Sequence, residues 1–95
     1  MKILVLKISL RANWVHSLKE KRMIVKSIIK KLQNNFNVSI IEVDNQDVHQ
    51  IISIGICSIS LEFSMCDSIK EKIINFIEDN TDALMFEIEE EIINY

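Results

Sequence analysis

The feature that most constrains this chain is a change of hydrophobic period at Ser17. Before it, Leu4, Leu6, Ile8 and Leu10 alternate with Ile3, Val5, Lys7 and Ser9. A two-residue repeat makes residues 2–10 a strand with a clear core face and a second face that is only half polar. After it, Leu18, Val25, Ile29, Leu32 and Phe36 recur at steps of seven, four, three and four. They form the apolar stripe of a helix of about 18 residues. Ser17 is its N-cap. In Ser-x-x-Glu (Ser17, Glu20) the hydroxyl and the carboxylate reciprocally satisfy free backbone N–H groups, and Asn34, Asn35 and Asn37 supply C-terminal caps.

The same switch occurs a second time. Val38–Val43 is a short β-branched strand, Asp44-Asn45-Gln46-Asp47 a turn, and Ile51–Leu61 a longer strand holding the only glycine, Gly55, where a bulge or a close backbone approach is expected. Ser64 reads as a second N-cap, with Asp67 three residues on. Met65, Ile69, Ile73, Phe76 and Ile77 form the second helical stripe. Leu84, Phe86 and Ile88 alternate with Met85, Glu87 and Glu89 in a last strand.

The order βαββαβ over residues 1–95 predicts one α+β domain: a ferredoxin-like, four-stranded antiparallel sheet in spatial order 4-1-3-2 with both helices on one face. The Arg11–Arg22 segment then shares one end of the domain with the Asp44–Gln50 hairpin. Ile3 and Val5 lie on the open sheet face, where an apolar patch would mark a partner surface. A homodimer through that face or an edge strand is expected.

Composition narrows the class. At 48% apolar residues the chain can build a core without staples, and no 18-residue apolar run is present to span a bilayer. The apolar run at the N-terminus is short, is interrupted by Lys7 and lacks a small-residue cleavage site, so a cytoplasmic location is expected. Cys57 and Cys66 lack C-x-x-C spacing and read as small apolar residues of a reducing compartment. The net charge of −3 hides an asymmetry: residues 1–37 hold nine Lys/Arg and one acid, and residues 38–95 hold two Lys and thirteen acids. Such a split suggests an anionic partner for one surface, or basic surfaces docking on acidic ones. The plainer alternative is that folding interleaves the halves.

Lys19, Lys21 and Arg22 sit in the first turns of a helix, where carboxylates are preferred and an exposed cation costs about 0.3–1 kcal/mol. A bound phosphate would explain them, with Arg11 and Lys26 assisting. A structural explanation is that Glu20 neutralises its neighbours and Arg22 lays its stem over the core edge. Trp14 either stacks on a base or caps the core. His16 and His49, from separate loops, are a weak metal pair, and no metal or other cofactor is expected. Glu42, Asp44 and Asp47 resemble a catalytic carboxylate cluster or a solvated turn; Gln46 and Asp47 would cap backbone groups or hold Lys19 or Arg22. No nucleophile motif, phosphate loop or zinc spacing occurs.

Ser17-Leu18-Lys19-Glu20-Lys21-Arg22, followed by Phe36-Asn37-Val38-Ser39, Glu42-Val43 and Gln46-Asp47, resembles the YlxP-like bacterial family, a domain of unknown function. The resemblance covers nearly the whole chain and implies a ferredoxin-like sandwich. Genes of that family often lie beside those for a translation initiation factor and ribosome-binding factor A, which implies a role in translation or small-subunit maturation. The chain departs where the family has Asp-Leu-Trp-Gln and this sequence has Asp47-Val48-His49-Gln50. The expectation is a non-enzymatic factor that binds ribosomal RNA or a small-subunit particle. The alternative is a dimeric regulatory or scaffold module that binds a protein or small ligand through its sheet. Acylphosphatases share the topology, but their glycine-rich phosphate loop has no counterpart here.

Overall fold

The computed structural model describes residues 1–95. Its elements are β1 (Lys2–Arg11), α1 (Leu18–Asn35), β2 (Ser39–Asp44), β3 (Ile51–Ser60), α2 (Phe63–Asn80) and β4 (Leu84–Asn94). The strands form one sheet in the order β2-β3-β1-β4, with every neighbouring pair antiparallel. This is the ferredoxin-like α+β architecture that the order of periods implies. No helix is long and apolar enough to cross a membrane.

The core lies between the sheet and the two helices. Leu4, Leu6, Ile8 and Leu10 of β1 meet Ile52, Ile54 and Ile56 of β3, and all seven are at most 1% exposed. Val25, Ile28 and Leu32 of α1 and Cys66, Ile73 and Ile77 of α2 close over them. Cys66 is thus a core residue, whereas Cys57 is exposed on the sheet; both are free thiols.

Several local expectations need correction. Leu18 and Ile29 are only partly buried, and the core stripe of α1 runs Lys21, Val25, Ile28 and Leu32. Helix α2 starts one residue before Ser64, and its N-cap Glu62 makes no side-chain capping bond. Its stripe begins at Cys66, while Met65 is 45% exposed. At the end of α1 the backbone turns extended at Phe36, and Asn35 Nδ2 donates to the Lys31 carbonyl at 2.8 Å. The ring of Phe36 meets that of Phe76 edge-on, with centroids 5.5 Å apart, tying the two helices together.

The alternation of β4 is broken by a register shift opposite Ser9 and Leu10. Met85 therefore pairs with Leu10 and Ile88 with Ile8, while Leu84 pairs with Arg11 on the other face and is 65% exposed. A second shift lies in β2 between Glu42 and Asp44. There Val43 leans over Gly55, and a Cβ on Gly55 would stand 2.5 Å from Val43 Cγ1. Gly55 thus makes room for a side chain, and its own strand stays in register with β1.

Candidate nucleic-acid interface

One end of the domain gathers the β1–α1 loop, the β2–β3 hairpin and the α2–β4 turn, as the topology predicts. Backbone needs explain how it is held. The Ala12 N–H donates to the Gln50 carbonyl at 2.8 Å, and Gln50 Nε2 donates to the carbonyls of Asn13 and Val15, each at 3.2 Å. Ala12 and Val15, both fully buried, close the end of the core. Trp14 does not; it is 44% exposed.

Ser17 caps α1 as its sequence suggests, its Oγ accepting from the Glu20 N–H at 3.1 Å, but Glu20 returns no bond to Ser17. One helical turn on, Lys21 departs from expectation. Its side chain is 1% exposed, and Nζ stands 3.0 Å from Glu42 Oε2 on the helix-facing side of β2. Nζ also donates to the carbonyl of Asn45. Asn45 has the one positive φ of a non-glycine residue, 57°, and its carbonyl also accepts the Val48 N–H at 3.0 Å. Lys21 is therefore no phosphate ligand. It is a bolt between the start of α1 and the hairpin.

The other cations of α1 behave differently. Lys19, Arg22, Lys26 and Lys30 are all exposed. Their spacing of three, four and four places them on one outward stripe, turned away from the stripe that begins with Lys21. The structure's ion pairs join Lys7 to Asp44 and Glu89, Lys21 to Glu42, and Lys70 to Glu90, so none neutralises this ridge. Folding interleaves the two charged halves only in part. On a helix surface, like charges three or four residues apart destabilise by about 0.2–0.5 kcal/mol per pair. Four such residues in series have no structural reason visible in the fold.

Arg11 does not join them. The alternation of β1 puts it on the open face, with its guanidinium 5.2 Å from the centre of the Phe86 ring. The presumed carboxylate cluster is also dispersed: Glu42 serves Lys21, and Asp44 lies 3.3 Å from Lys7 Nζ. The N–H of Asn45 at 2.8 Å, and after it the Lys7 ammonium, hold the Asp44 carboxyl below its ordinary value of 3.8. Asp47, Gln46, His16 and His49 are exposed and make no side-chain hydrogen bond, so neither Gln46 nor Asp47 holds Lys19 or Arg22. Residues that sequence reasoning passed over, Asn45 and Gln50, do the holding.

The open sheet face is divided. Ile3, Val5, Cys57, Ile59 and Ile93 make one apolar half, with Ile59 67% exposed. Lys7, Asp44, Glu87 and Glu89 make the other, charged half, with Ile41 on the edge strand in the row of Lys7 and Glu89, and Glu91 opposite Val5 where the halves meet.

Fold and site together define a small ferredoxin-like domain that presents an unpaired basic helix face. Residues 3–90 match the family described as "Protein of unknown function (DUF503)", and the chain belongs to that family. It is also 40% identical over 62 residues, 65% of this chain and 67% of the relative, to the "Uncharacterized protein YlxP" of Bacillus subtilis (strain 168).

Proposed function

We propose that this protein is a non-enzymatic, cytoplasmic factor that binds ribosomal RNA or a small-subunit particle through the outer face of α1. The observation that carries the reading is the ridge Lys19–Arg22–Lys26–Lys30, four exposed cations without a carboxylate partner. A row of cations on one rigid helix matches the spaced charges of a phosphate backbone, and each neutralised phosphate releases counterions. The gene neighbourhood of the family supports the choice of ribosomal RNA. In sedimentation with small-subunit particles at several salt concentrations, binding weakens as salt rises. Each of Lys19→Gln, Arg22→Gln and Lys26→Gln flattens the slope of log affinity against log salt by about one unit. No cosedimentation at low salt would sink the reading, as would a slope unchanged in the triple variant.

The apolar half of the open face favours a second reading, a module that self-associates or takes a protein partner there. Ile59 stands in the open on β3 in one row with Ile3 of β1 and Ile93 of β4, and apolar clusters of this kind mark interfaces. Analytical ultracentrifugation would show a dimer that Ile59→Glu dissolves. A monomer at all concentrations, with no salt-resistant protein partner, refutes this second reading and leaves the first intact.

A further inference from the structure

A shallow groove of about 330 Å³ runs between α1 and the α2–β4 turn, with Trp14, Met23, Ile24, Ser27 and Asp82 among its walls. Its volume lies near the lower end of small-ligand clefts, which hold roughly 300–1,000 Å³. We propose that this groove seats one unpaired base of single-stranded RNA, stacked on the indole of Trp14, while the adjoining phosphates lie on the basic ridge. The proposal rests on the RNA-binding reading above and narrows it to unpaired rather than duplex RNA.

Three observations lead there. The core is closed at this end by Ala12 and Val15, so the 44% exposed indole is not needed to seal it. Groove and ridge are also neighbours on the same helix. Met23 is four residues past Lys19 and three before Lys26, and Ser27 is three before Lys30, so groove-lining and cationic positions touch along α1. Lastly, charge divides the nucleotide between them. Asp82 on the far wall repels a phosphate from the groove, and the unpaired cations attract it to the ridge. Aromatic platforms beside a basic track bind single strands in this manner, because every unstacked base offers a π-face. A duplex buries its bases against one another and has none to offer.

Trp14 is the chain's only tryptophan, so its fluorescence reports this groove alone. The test titrates the full chain with a short single-stranded RNA and with a duplex RNA of equal phosphate count. The single strand should quench Trp14 and the duplex should not. Trp14→Phe should keep single-strand affinity within a few-fold, whereas Trp14→Ala should weaken it by about 5- to 150-fold and leave duplex affinity unchanged. Met23→Ala, at a position 66% exposed and so harmless to the core, removes a groove wall without changing the charge of the ridge and should also weaken the single strand selectively. Binding without quenching, equal quenching by the duplex, or unchanged affinity in Trp14→Ala would overturn base stacking while the ridge reading stands. Quenching by an apolar peptide but not by RNA would make this a protein-docking groove and overturn the proposal. Failure of both RNAs to bind would refute it together with the function proposed above.

Discussion

Replacing Lys21 by Met tests the bolt between α1 and the hairpin. Methionine keeps most of the buried stem and its rotamers, so packing changes little. What it removes is the donor to the Asn45 carbonyl and the charge beside Glu42 Oε2, 3.0 Å away. That oxygen is buried and has no well-aligned hydrogen bond, so the ammonium is its compensation. Losing one partner of a fully buried pair costs about 3–5 kcal/mol; with the Glu42 side chain 20% exposed, water recovers part of this, and we expect about 2–4 kcal/mol. A domain of 95 residues has about 5–14 kcal/mol in all, so a loss near 3 kcal/mol lowers Tm by roughly 12–24 °C.

Urea unfolding followed by circular dichroism reads the loss directly, as a lower midpoint at unchanged slope. The pair Lys21→Met with Glu42→Leu should regain most of the stability, since an apolar pair removes the stranded carboxylate. RNA binding supplies the contrast. Lys21→Met should leave the salt slope as it is in the parent protein, whereas Lys19, Arg22 and Lys26 variants flatten it. A Lys21→Met protein within about 0.5 kcal/mol of the parent, the range of ordinary surface changes, would refute the structural role. So would one of full stability that binds RNA with a reduced slope.

Ser17→Ala removes the acceptor of the Glu20 N–H and should cost about 0.5–2 kcal/mol in the same urea assay. Gly55→Ala should destabilise by about 1–3 kcal/mol, because its Cβ would meet the stiff Val43 side chain; adding Val43→Ala should restore the loss. Asp44 has a folded pKa below its ordinary 3.8, so its contribution to stability is full above that value and disappears as pH falls through the lower one. Urea midpoints of Asp44→Asn and the parent should therefore differ near neutrality and converge in strong acid.

The fold was legible because its periods are clean. Alternation in β1 and the stripe of α1 leave one economical packing, and the sheet order follows from the rule of right-handed crossovers. Errors came where a local exception shifts the phase. The bulge opposite Ser9 and Leu10 moved Leu84 out and Met85 in, and nothing in the composition of β4 announces it. Gly55 did announce a close approach, but its source is a side chain on the neighbouring strand. Lys21 carried a signal that could have been used. It lies four residues before Val25 and seven before Ile28, in phase with the core, and Glu42 sits on the strand facing it. A charge at a core position predicts a buried partner. Trp14 was undecidable from sequence, because only the burial of Ala12 and Val15 shows that the core is closed without it.

The assignment of Lys21 to the interior sharpens the case for its neighbours. A helix whose first turns carry Lys19, Lys21 and Arg22 against its own dipole looks at first like one site with one purpose. The structure separates two. Ser17 and Lys21 fasten the start of α1, the first to the helix itself and the second to the hairpin, while Phe36 against Phe76 fastens its other end to α2. Val25, Ile28 and Leu32 hold the middle. With the inner face so anchored, repulsion along the outer face, of order 1 kcal/mol for a few like-charged pairs, is small against total stability and can be tolerated. Tolerance explains how the ridge survives but gives no reason for it. If Lys19, Arg22 and Lys26 were idle, replacing them by Gln would remove the repulsion and raise stability with no loss elsewhere. If they are phosphate ligands, the same triple variant should be slightly more stable and unable to bind RNA, and that opposition between stability and binding is what an active charged surface would show.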